Sequence, residues 1–224
     1  ARNFNAEYES RVDELEKHPE IAFEKDFLRW MLSDGAGAVL LQDRPNQKGL
    51  SLRIDWLDIY SFADQMPPCM YAGADMQDDT LRGWSRYDAD ERAKQSVMAI
   101  KQNVKLLNEN IVKYTVIEAL RRIMARRELR VADIDWFLPH YSSEFFREPL
   151  AVGLANVDLP IPMERWFTNL TSKGNTGAAS IFIILEELFN GGRLRSGQRL
   201  LCYVPESGRF SSAFMHLTVV GDEA

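Results

Sequence analysis

Residues 135–140 read Asp135-Trp136-Phe137-Leu138-Pro139-His140, an apolar run that closes on a proline and a histidine. Ile134–Leu138 has the length and composition of a buried strand. Proline has no N–H to donate to a sheet, so the strand is predicted to stop at Pro139. His140 is therefore expected at the end of a rigid strand, where a side chain is held in a fixed position.

Helix and strand signals alternate after this run. Ala178–Phe189 predicts a helix, which the glycine pair beginning at Gly191 ends. Arg199–Val204 and Ser212–Val220 predict two strands, and the turn at Pro205–Arg209 makes them neighbours. Strands that alternate with helices indicate the α/β class with a mixed sheet.

The pattern upstream is less regular. Ala38–Leu41 follows turn residues and predicts a short buried strand, while Leu50–Ile59 alternates apolar and polar residues like a half-buried strand. Asp64–Ala89 holds prolines, glycines and aromatic residues, and predicts an irregular insertion of the kind that often lines a site. Asp90–Leu129 has helical spacing, and Tyr8–Leu32 is predicted to be helical or irregular.

Composition excludes several classes of protein. The 224 residues are 46% hydrophobic, enough for a sizeable core, and the net charge of -6 argues against a general nucleic-acid role. There is no apolar run of membrane length and no signal-peptide pattern. The two cysteines, Cys69 and Cys202, are too far apart in sequence for a CxxC pattern, so a disulfide scaffold or a zinc site is not expected. These features predict a cytoplasmic protein with reduced thiols and no metal.

Four short stretches occur in a characteristic order. They are Leu32–Leu40 with its Asp34-Gly35-Ala36-Gly37 turn, Asp135–His140, Gly174-Asn175-Thr176-Gly177-Ala178-Ala179-Ser180, and Glu206-Ser207-Gly208-Arg209-Phe210-Ser211. Together they resemble the C-terminal two-thirds of beta-ketoacyl-[acyl-carrier-protein] synthase III, a thiolase-fold condensing enzyme. The resemblance runs from about Phe27 to the C-terminus, and over Asp43–Leu129 it follows the order of elements only.

The resemblance implies an α/β thiolase-like fold, with a mixed sheet, packed helices and most of the first half missing from this chain. Residues 1–44 would end the N-terminal half. Residues 45–224 would form the C-terminal half, with a long insertion around 60–95.

The same resemblance implies the chemistry. Such enzymes load an acyl group onto a cysteine and attack it with a carbanion that decarboxylation of malonyl-carrier protein provides. His140 and Asn175 would be the catalytic donors to the enolate oxygen, and the Gly208 amide would bind the acyl thioester oxygen. No cofactor is implied beyond the phosphopantetheine or coenzyme A that the substrates carry.

Each of these residues has a structural alternative. His140 fits a satisfied core histidine, Asn175 a helix cap, and Gly208 an ordinary turn glycine. Tyr141-Ser142-Ser143 and the charged Glu206–Arg209 turn depart from the family pattern. They indicate a divergent branch with an unusual acyl substrate, in specialised metabolism rather than housekeeping fatty-acid synthesis. The resemblance itself implies fatty-acid or polyketide biosynthesis.

The family's nucleophilic cysteine precedes the Asp34 turn, and residues 1–33 contain none. Cys69 and Cys202 both follow the turn, so the catalytic cysteine is expected on sequence outside this chain. The apolar faces of Ala178–Leu188 and Arg199–Val204 are then expected to be exposed, and the chain to be dimeric, aggregated or unstable.

Arginines cluster in the second half of the helical region. They are Arg121, Arg122, Arg126, Arg127 and Arg130, with Arg147 as an outlying member. They fit a solvated helix end or a docking patch for an acidic acyl carrier protein.

Two rival functions stay open: cysteine-dependent O- or N-acyl transfer without decarboxylation, and a non-catalytic partner subunit of a synthase complex. The resemblance also implies a homodimer.

Overall fold

The structure, a computed structural model, describes residue 28 and residues 30–78 and 80–221. Its strands are β1 (Leu50–Ser61), β2 (Met70–Tyr71), β3 (Ala74–Gln77), β4 (Thr80–Gly83), β5 (Lys101–Gln102), β6 (Trp136–Pro139), β7 (Arg199–Glu206) and β8 (Ser211–Gly221). Its helices are α1 (Ala89–Lys94), α2 (Val104–Val112), α3 (Ala119–Met124), α4 (Arg147–Ala155), α5 (Leu170–Lys173) and α6 (Ser180–Asn190). A π-helical stretch, Lys113–Glu118, joins α2 to α3.

A mixed four-stranded sheet of order β1-β8-β7-β6 is the centre of the fold. β7 and β8 form the antiparallel pair predicted from their short turn, β1 pairs antiparallel with β8, and β6 runs parallel to β7. A parallel bridge between Phe137 and Trp166 extends the sheet beyond β6. The predicted α/β class with a mixed sheet is confirmed.

Helices cover both faces of this sheet, so successive strand residues enter different cores. Phe137, Leu201 and Tyr203 belong to the core beneath α2, α3 and α4. Leu138, Leu200 and Cys202 belong to the core beneath α6, together with Ile184 and Leu188 of that helix. This alternation tells which face of the sheet each strand residue occupies.

The predicted strand at Ala38–Leu41 is wrong. These residues form no strand, and their side chains are exposed, with Leu40 at 83%. In the described part of the chain no strand pairs with them, and an apolar run needs a partner for its backbone groups before it becomes a strand. Most of Tyr8–Leu32 lies outside the described residues.

The insertion is more regular than its composition predicts. Between Asp64 and Ala89 lie β2 and the β3–β4 hairpin, and β2 pairs with β5 across the rest of the insertion. The helical prediction for Asp90–Leu129 is correct only in part. The Asp88 capping box starts α1, β5 then intervenes, and the Asn103 side chain caps the beginning of α2.

The expected exposure of Ala178–Leu188 and Arg199–Val204 is also wrong. β7 lies between β6 and β8, and the apolar face of α6 packs on the sheet, so both segments bury their apolar residues. Exposed apolar side chains occur instead on the edge strand β1, at Ile54, Leu57 and Ile59, and also outside the sheet, at Trp30, Leu40 and Leu41. Within the described residues no helix is both long and apolar enough to cross a bilayer.

Candidate active site

Three of the four sequence motifs meet at one edge of the sheet. β6 and β7 are parallel, so His140 and Glu206 leave the sheet at the same edge. Phe167 also runs beside β6, since its amide donates to the Phe137 carbonyl at 2.9 Å, and the chain therefore reaches the Asn175 loop at that edge too. The carboxyl ends of parallel strands are where α/β folds usually place their ligands.

The same three residues also share a face of the sheet. Leu138 packs beneath α6, so strand alternation puts His140 on the α6 face. Leu200, Cys202 and Val204 pack on that face as well, and Glu206 continues their alternation. Asn175 comes just before α6, the helix that covers this face.

His140 is a buried histidine whose ring has no partner within the described part of the chain. Its backbone amide donates to the Tyr203 carbonyl at 2.8 Å, which fixes the residue to β7. Its side chain is 7% exposed, and burial lowers the pKa of the imidazole to about 4. Among the described residues no group bonds to the ring. His140 is therefore neutral near pH 7 and has one ring N–H available to donate.

Asn175 presents a free amide. Its side-chain oxygen accepts from the Gly177 amide at 3.1 Å. A backbone N–H can only donate, so this bond fixes which end of the amide is the oxygen. The side chain is 7% exposed, and among the described residues its NH2 group has no acceptor. Asn175 is thus a turn residue and not a helix cap, since Thr176 and Ala179 occupy the cap positions of the two following helices, and its NH2 group is also an available donor.

The loop that carries Asn175 is held from both sides. The Asn175 carbonyl accepts from the Ser33 amide at 2.7 Å, and a Cβ on Gly35 would collide with Thr176. The Asp34–Gly37 motif therefore packs directly against the Asn175 motif. The Ser180 hydroxyl bonds to the Thr176 amide at 3.2 Å and to its hydroxyl at 2.9 Å. Asn175 accordingly sits between two anchored neighbours.

The Gly208 turn has its donors occupied. The Gly208 amide donates to one oxygen of the Glu206 carboxylate, and the Arg209 amide donates to the other at 3.2 Å. The insertion holds the turn from outside, because the Cys69 amide donates to the Gly208 carbonyl at 2.8 Å. An oxyanion at Gly208 would have to replace the Glu206 carboxylate.

Neither cysteine has the environment of a nucleophile. Burial, together with the nearby Glu206 charge, raises the pKa of the Cys69 thiol to about 11. The thiol lies 3.4 Å from the Asn103 carbonyl. Cys202 is in the middle of β7, and burial raises its pKa strongly. Nucleophilic cysteines need an accessible thiolate, which neither position provides. No group of side chains able to hold a metal occurs in the described ranges.

The arginine row begins at this edge and follows β1 away from it. Arg122 stacks over Tyr60 and Phe62, and the Phe62 amide donates to the Phe210 carbonyl beside the Gly208 turn. Arg127 stacks over Trp56, further from that edge. Arg126 and Arg127 pair with Asp58. Arg121 pairs with Glu118 and Arg130 with Asp133.

Arg147 stands apart from that row. It begins α4, shortly after His140, and is 42% exposed beside Glu144. Of the six predicted docking residues, Arg147 alone follows His140 closely in the chain and begins its helix near the site edge.

Sequence reasoning assigned no role to Glu206 or Ser180. Ser180 closes the predicted Asn175 motif, and only the fold shows that its hydroxyl holds Thr176. Glu206 had a visible signal, a carboxylate in a turn where the family has small residues. Tyr141, another departure, is a core residue: burial raises its pKa to about 12, and its hydroxyl donates to Glu144 at 3.3 Å.

The family model and the relatives that match this chain name the same family. Residues 124–209 match the family model described as 3-oxoacyl-[acyl-carrier-protein] synthase III C terminal. The beta-ketoacyl-[acyl-carrier-protein] synthase III of Acholeplasma laidlawii is 26% identical over 144 residues, which are 62% of this chain and 44% of that protein. The chain thus spans less than half the length of this relative.

Solved structures support the fold. The 3-oxoacyl-[acyl-carrier-protein] synthase III of Aquifex aeolicus superposes with a TM-score of 0.52 at 20% identity, over 78% of this chain and 46% of that one. The tetronic acid condensing enzyme AbyA1 superposes with a TM-score of 0.55 at 17% identity, over 75% of this chain and 47% of that one. At such identities the likeness establishes the thiolase-like fold and nothing finer.

Proposed function

We propose, since this chain is a divergent relative of beta-ketoacyl-[acyl-carrier-protein] synthase III, that it supplies the decarboxylation half of a condensing active site. The reaction would join an acyl thioester to malonyl-carrier protein by decarboxylative Claisen condensation. His140 and Asn175 are the two residues that we assign to it.

One observation supports this proposal above the others. A neutral imidazole and a free amide, both buried, occur at the same edge and on the same face of one sheet. Among the described residues, the fully buried side-chain polar atoms without a partner are the Tyr87 and Ser212 hydroxyls, so the unpaired donors of His140 and Asn175 keep some contact with the surface and an acceptor can reach them. Uncharged donors fixed before reaction suit an oxygen that becomes negative only during the reaction.

The proposed chemistry follows from these donors. The malonyl carboxylate leaves as carbon dioxide, and the electron pair of the broken carbon–carbon bond forms the enolate of the thioester. His140 and Asn175 donate to the enolate oxygen. The enolate carbon then attacks the carbonyl carbon of an acyl-cysteine, and the cysteine sulfur departs as thiolate. We assign that cysteine to sequence outside this chain, because Cys69 and Cys202 are both buried with raised pKa values.

Substrates, partners and organisation belong to the same proposal. The thioesters would be carried by acyl carrier protein or coenzyme A, in fatty-acid or polyketide biosynthesis, in the cytoplasm and in a homodimer. Arg147 is a favoured docking cation, because it begins α4 shortly after His140 and is 42% exposed, although it pairs with Glu144 as the other arginines pair or stack within the chain. Residues 1–44 are proposed to end one thiolase half, and residues 45–224 to form the other.

Two partial reactions of the complete protein test the proposal. Removal of one fixed donor typically costs about 100-fold to 1000-fold in rate. His140→Ala and Asn175→Ala should each slow malonyl decarboxylation by roughly that factor, while acyl loading stays near wild type. The two effects should combine less than additively, since both residues serve one oxygen.

Asn190→Ala is a matched control for Asn175→Ala. Asn190 ends the same helix α6, and its amide bonds to Glu186 at 2.8 Å. It should leave both partial reactions unchanged. Normal decarboxylation by a folded double variant would refute the roles of His140 and Asn175.

A non-catalytic partner subunit is the second candidate, because neither cysteine of the chain has a nucleophile's environment. It predicts that the complete protein decarboxylates no malonyl thioester, and that His140→Ala changes only stability.

A further inference from the structure

We propose that Glu206 is a displaceable plug: its carboxylate closes an oxyanion site made by the Gly208 and Arg209 amides, and a thioester oxygen reaches them only after Glu206 moves away. The inference deepens the proposed function and rests on it for the identity of the displacing oxygen. It also makes Glu206 a specificity-determining residue.

The contact pattern supports a plug. Two successive amides aimed at one point form an anion-binding concavity, and here both donate to the same carboxylate. Gly208 is tied on its other side, through its carbonyl, to the Cys69 amide. The turn backbone is therefore held by the insertion, whereas the bonds that the two amides donate to Glu206 depend on a flexible, exposed side chain.

The position of Glu206 separates a plug from an ordinary turn cap. Strand alternation places it on the α6 face of β7, at the edge where β6 delivers His140 and the chain delivers Asn175. The two amides of this turn are thus filled by the chain's own carboxylate. A substrate oxygen arriving there must compete with a charge-assisted pair of hydrogen bonds.

The Glu206 carboxylate lies in the space that a side chain at position 208 would occupy. A Cβ at this position would stand 2.5 Å from the Glu206 carboxylate oxygen and 3.4 Å from the Met70 carbonyl. The first contact involves the end of a flexible side chain, and the second is ordinary van der Waals contact. Gly208→Ala should therefore expel the carboxylate and leave the turn backbone in place.

Amide hydrogen exchange of the 224-residue chain tests the plug directly. In the wild type the Gly208 and Arg209 amides should be protected. Glu206→Ala should lower their protection by about tenfold or more, the effect expected for loss of a charge-assisted hydrogen bond. Gly208→Ala should lower the exchange protection of the Arg209 amide although the charge of Glu206 remains. Glu144→Ala removes another carboxylate near this edge, one that contacts Tyr141 and Arg147, and should change neither amide.

Inorganic phosphate then serves as the anion probe. It should cause a saturable NMR shift of the two amides in Glu206→Ala and no shift in the wild type, with Glu206→Gln between them. Equal protection in wild type and Glu206→Ala would overturn the plug. The plug would also be overturned if phosphate shifted neither amide in Glu206→Ala, or if the wild-type turn bound phosphate as well as the variant does. None of these readings depends on condensation, so failure of the proposed reaction and failure of the plug are distinguishable.

Discussion

At the scale of the residue, burial without a charged neighbour sets the protonation of His140. The unfolded histidine takes up a proton below its ordinary pKa of 6.5, but the folded one does so only near 4. Between those values the unfolded state binds more protons, so acid favours unfolding. The stability contributed by the neutral ring is fully present above pH 6.5 and is lost as the pH falls toward 4.

A pH series of urea unfolding checks this. The free energy of unfolding of the wild type should fall by up to about 3 kcal/mol from pH 6.5 to pH 4 through His140. His140→Gln has no such group, so its profile should be flatter than the wild type by that amount. Two profiles that run parallel below pH 6.5 would show that the ring is solvated or paired.

Some site residues were predictable and others were not, for a physical reason. His140 and Asn175 lie beside a proline and glycines that fix the local backbone, so their positions follow from nearby sequence. Glu206 acts through two amides that only the folded turn aims at one point. Residue types alone therefore identified Gly208 as a site residue but could not predict that its amide already donates to the Glu206 carboxylate.

At the scale of the element, the π-helical stretch between α2 and α3 is fixed by a buried polar pair. The Thr115 hydroxyl contacts the Ile111 carbonyl at 2.5 Å and the Tyr203 hydroxyl at 2.6 Å. Tyr203 is fully buried on β7, and burial raises its pKa strongly. The pair ties the helical layer to the central strand. Helical spacing predicted the helices but not this buried pair, because the partner of Thr115 is 88 residues away in the sequence.

Thr115→Val should destabilise the chain by about 1–3 kcal/mol, because it leaves the buried Tyr203 hydroxyl without its partner. Thr115→Ser keeps the hydroxyl and removes one methyl group, so it should cost about 1 kcal/mol or less. Chemical denaturation of both variants provides the comparison. A Thr115→Val chain as stable as Thr115→Ser would mean that the pair contributes little.

At the scale of the whole molecule, the exposed apolar surface lies where sequence reasoning did not expect it. The alternation of Leu50–Ile59 gave the strand correctly, but strand order decides which strand has an unpaired edge. β1 holds that position, and Ile59 is 67% exposed there. The expected surfaces on α6 and β7 are covered, because β7 became central. The fold class could be predicted from the local pattern of apolar and polar residues, whereas the exposure of each apolar segment depends on the order of the strands in the sheet.

Large exposed apolar patches drive association, so the isolated chain should self-associate through β1. Leu57→Lys combined with Ile59→Lys should shift it toward monomer in analytical ultracentrifugation. Val152→Lys is the control, since Val152 is similarly exposed, at 58%, but lies on α4. Equal association of all three chains would place the contact elsewhere.

The central claim is that His140 and Asn175 donate to one oxygen. An experimental structure of the complete protein with a non-hydrolysable malonyl thioester analogue tests it most directly. The account predicts one thioester oxygen within roughly 2.7–3.2 Å of a His140 ring nitrogen and of the Asn175 amide nitrogen. An analogue bound with that oxygen on other donors, and with no contact to the His140 ring or the Asn175 amide, would contradict it.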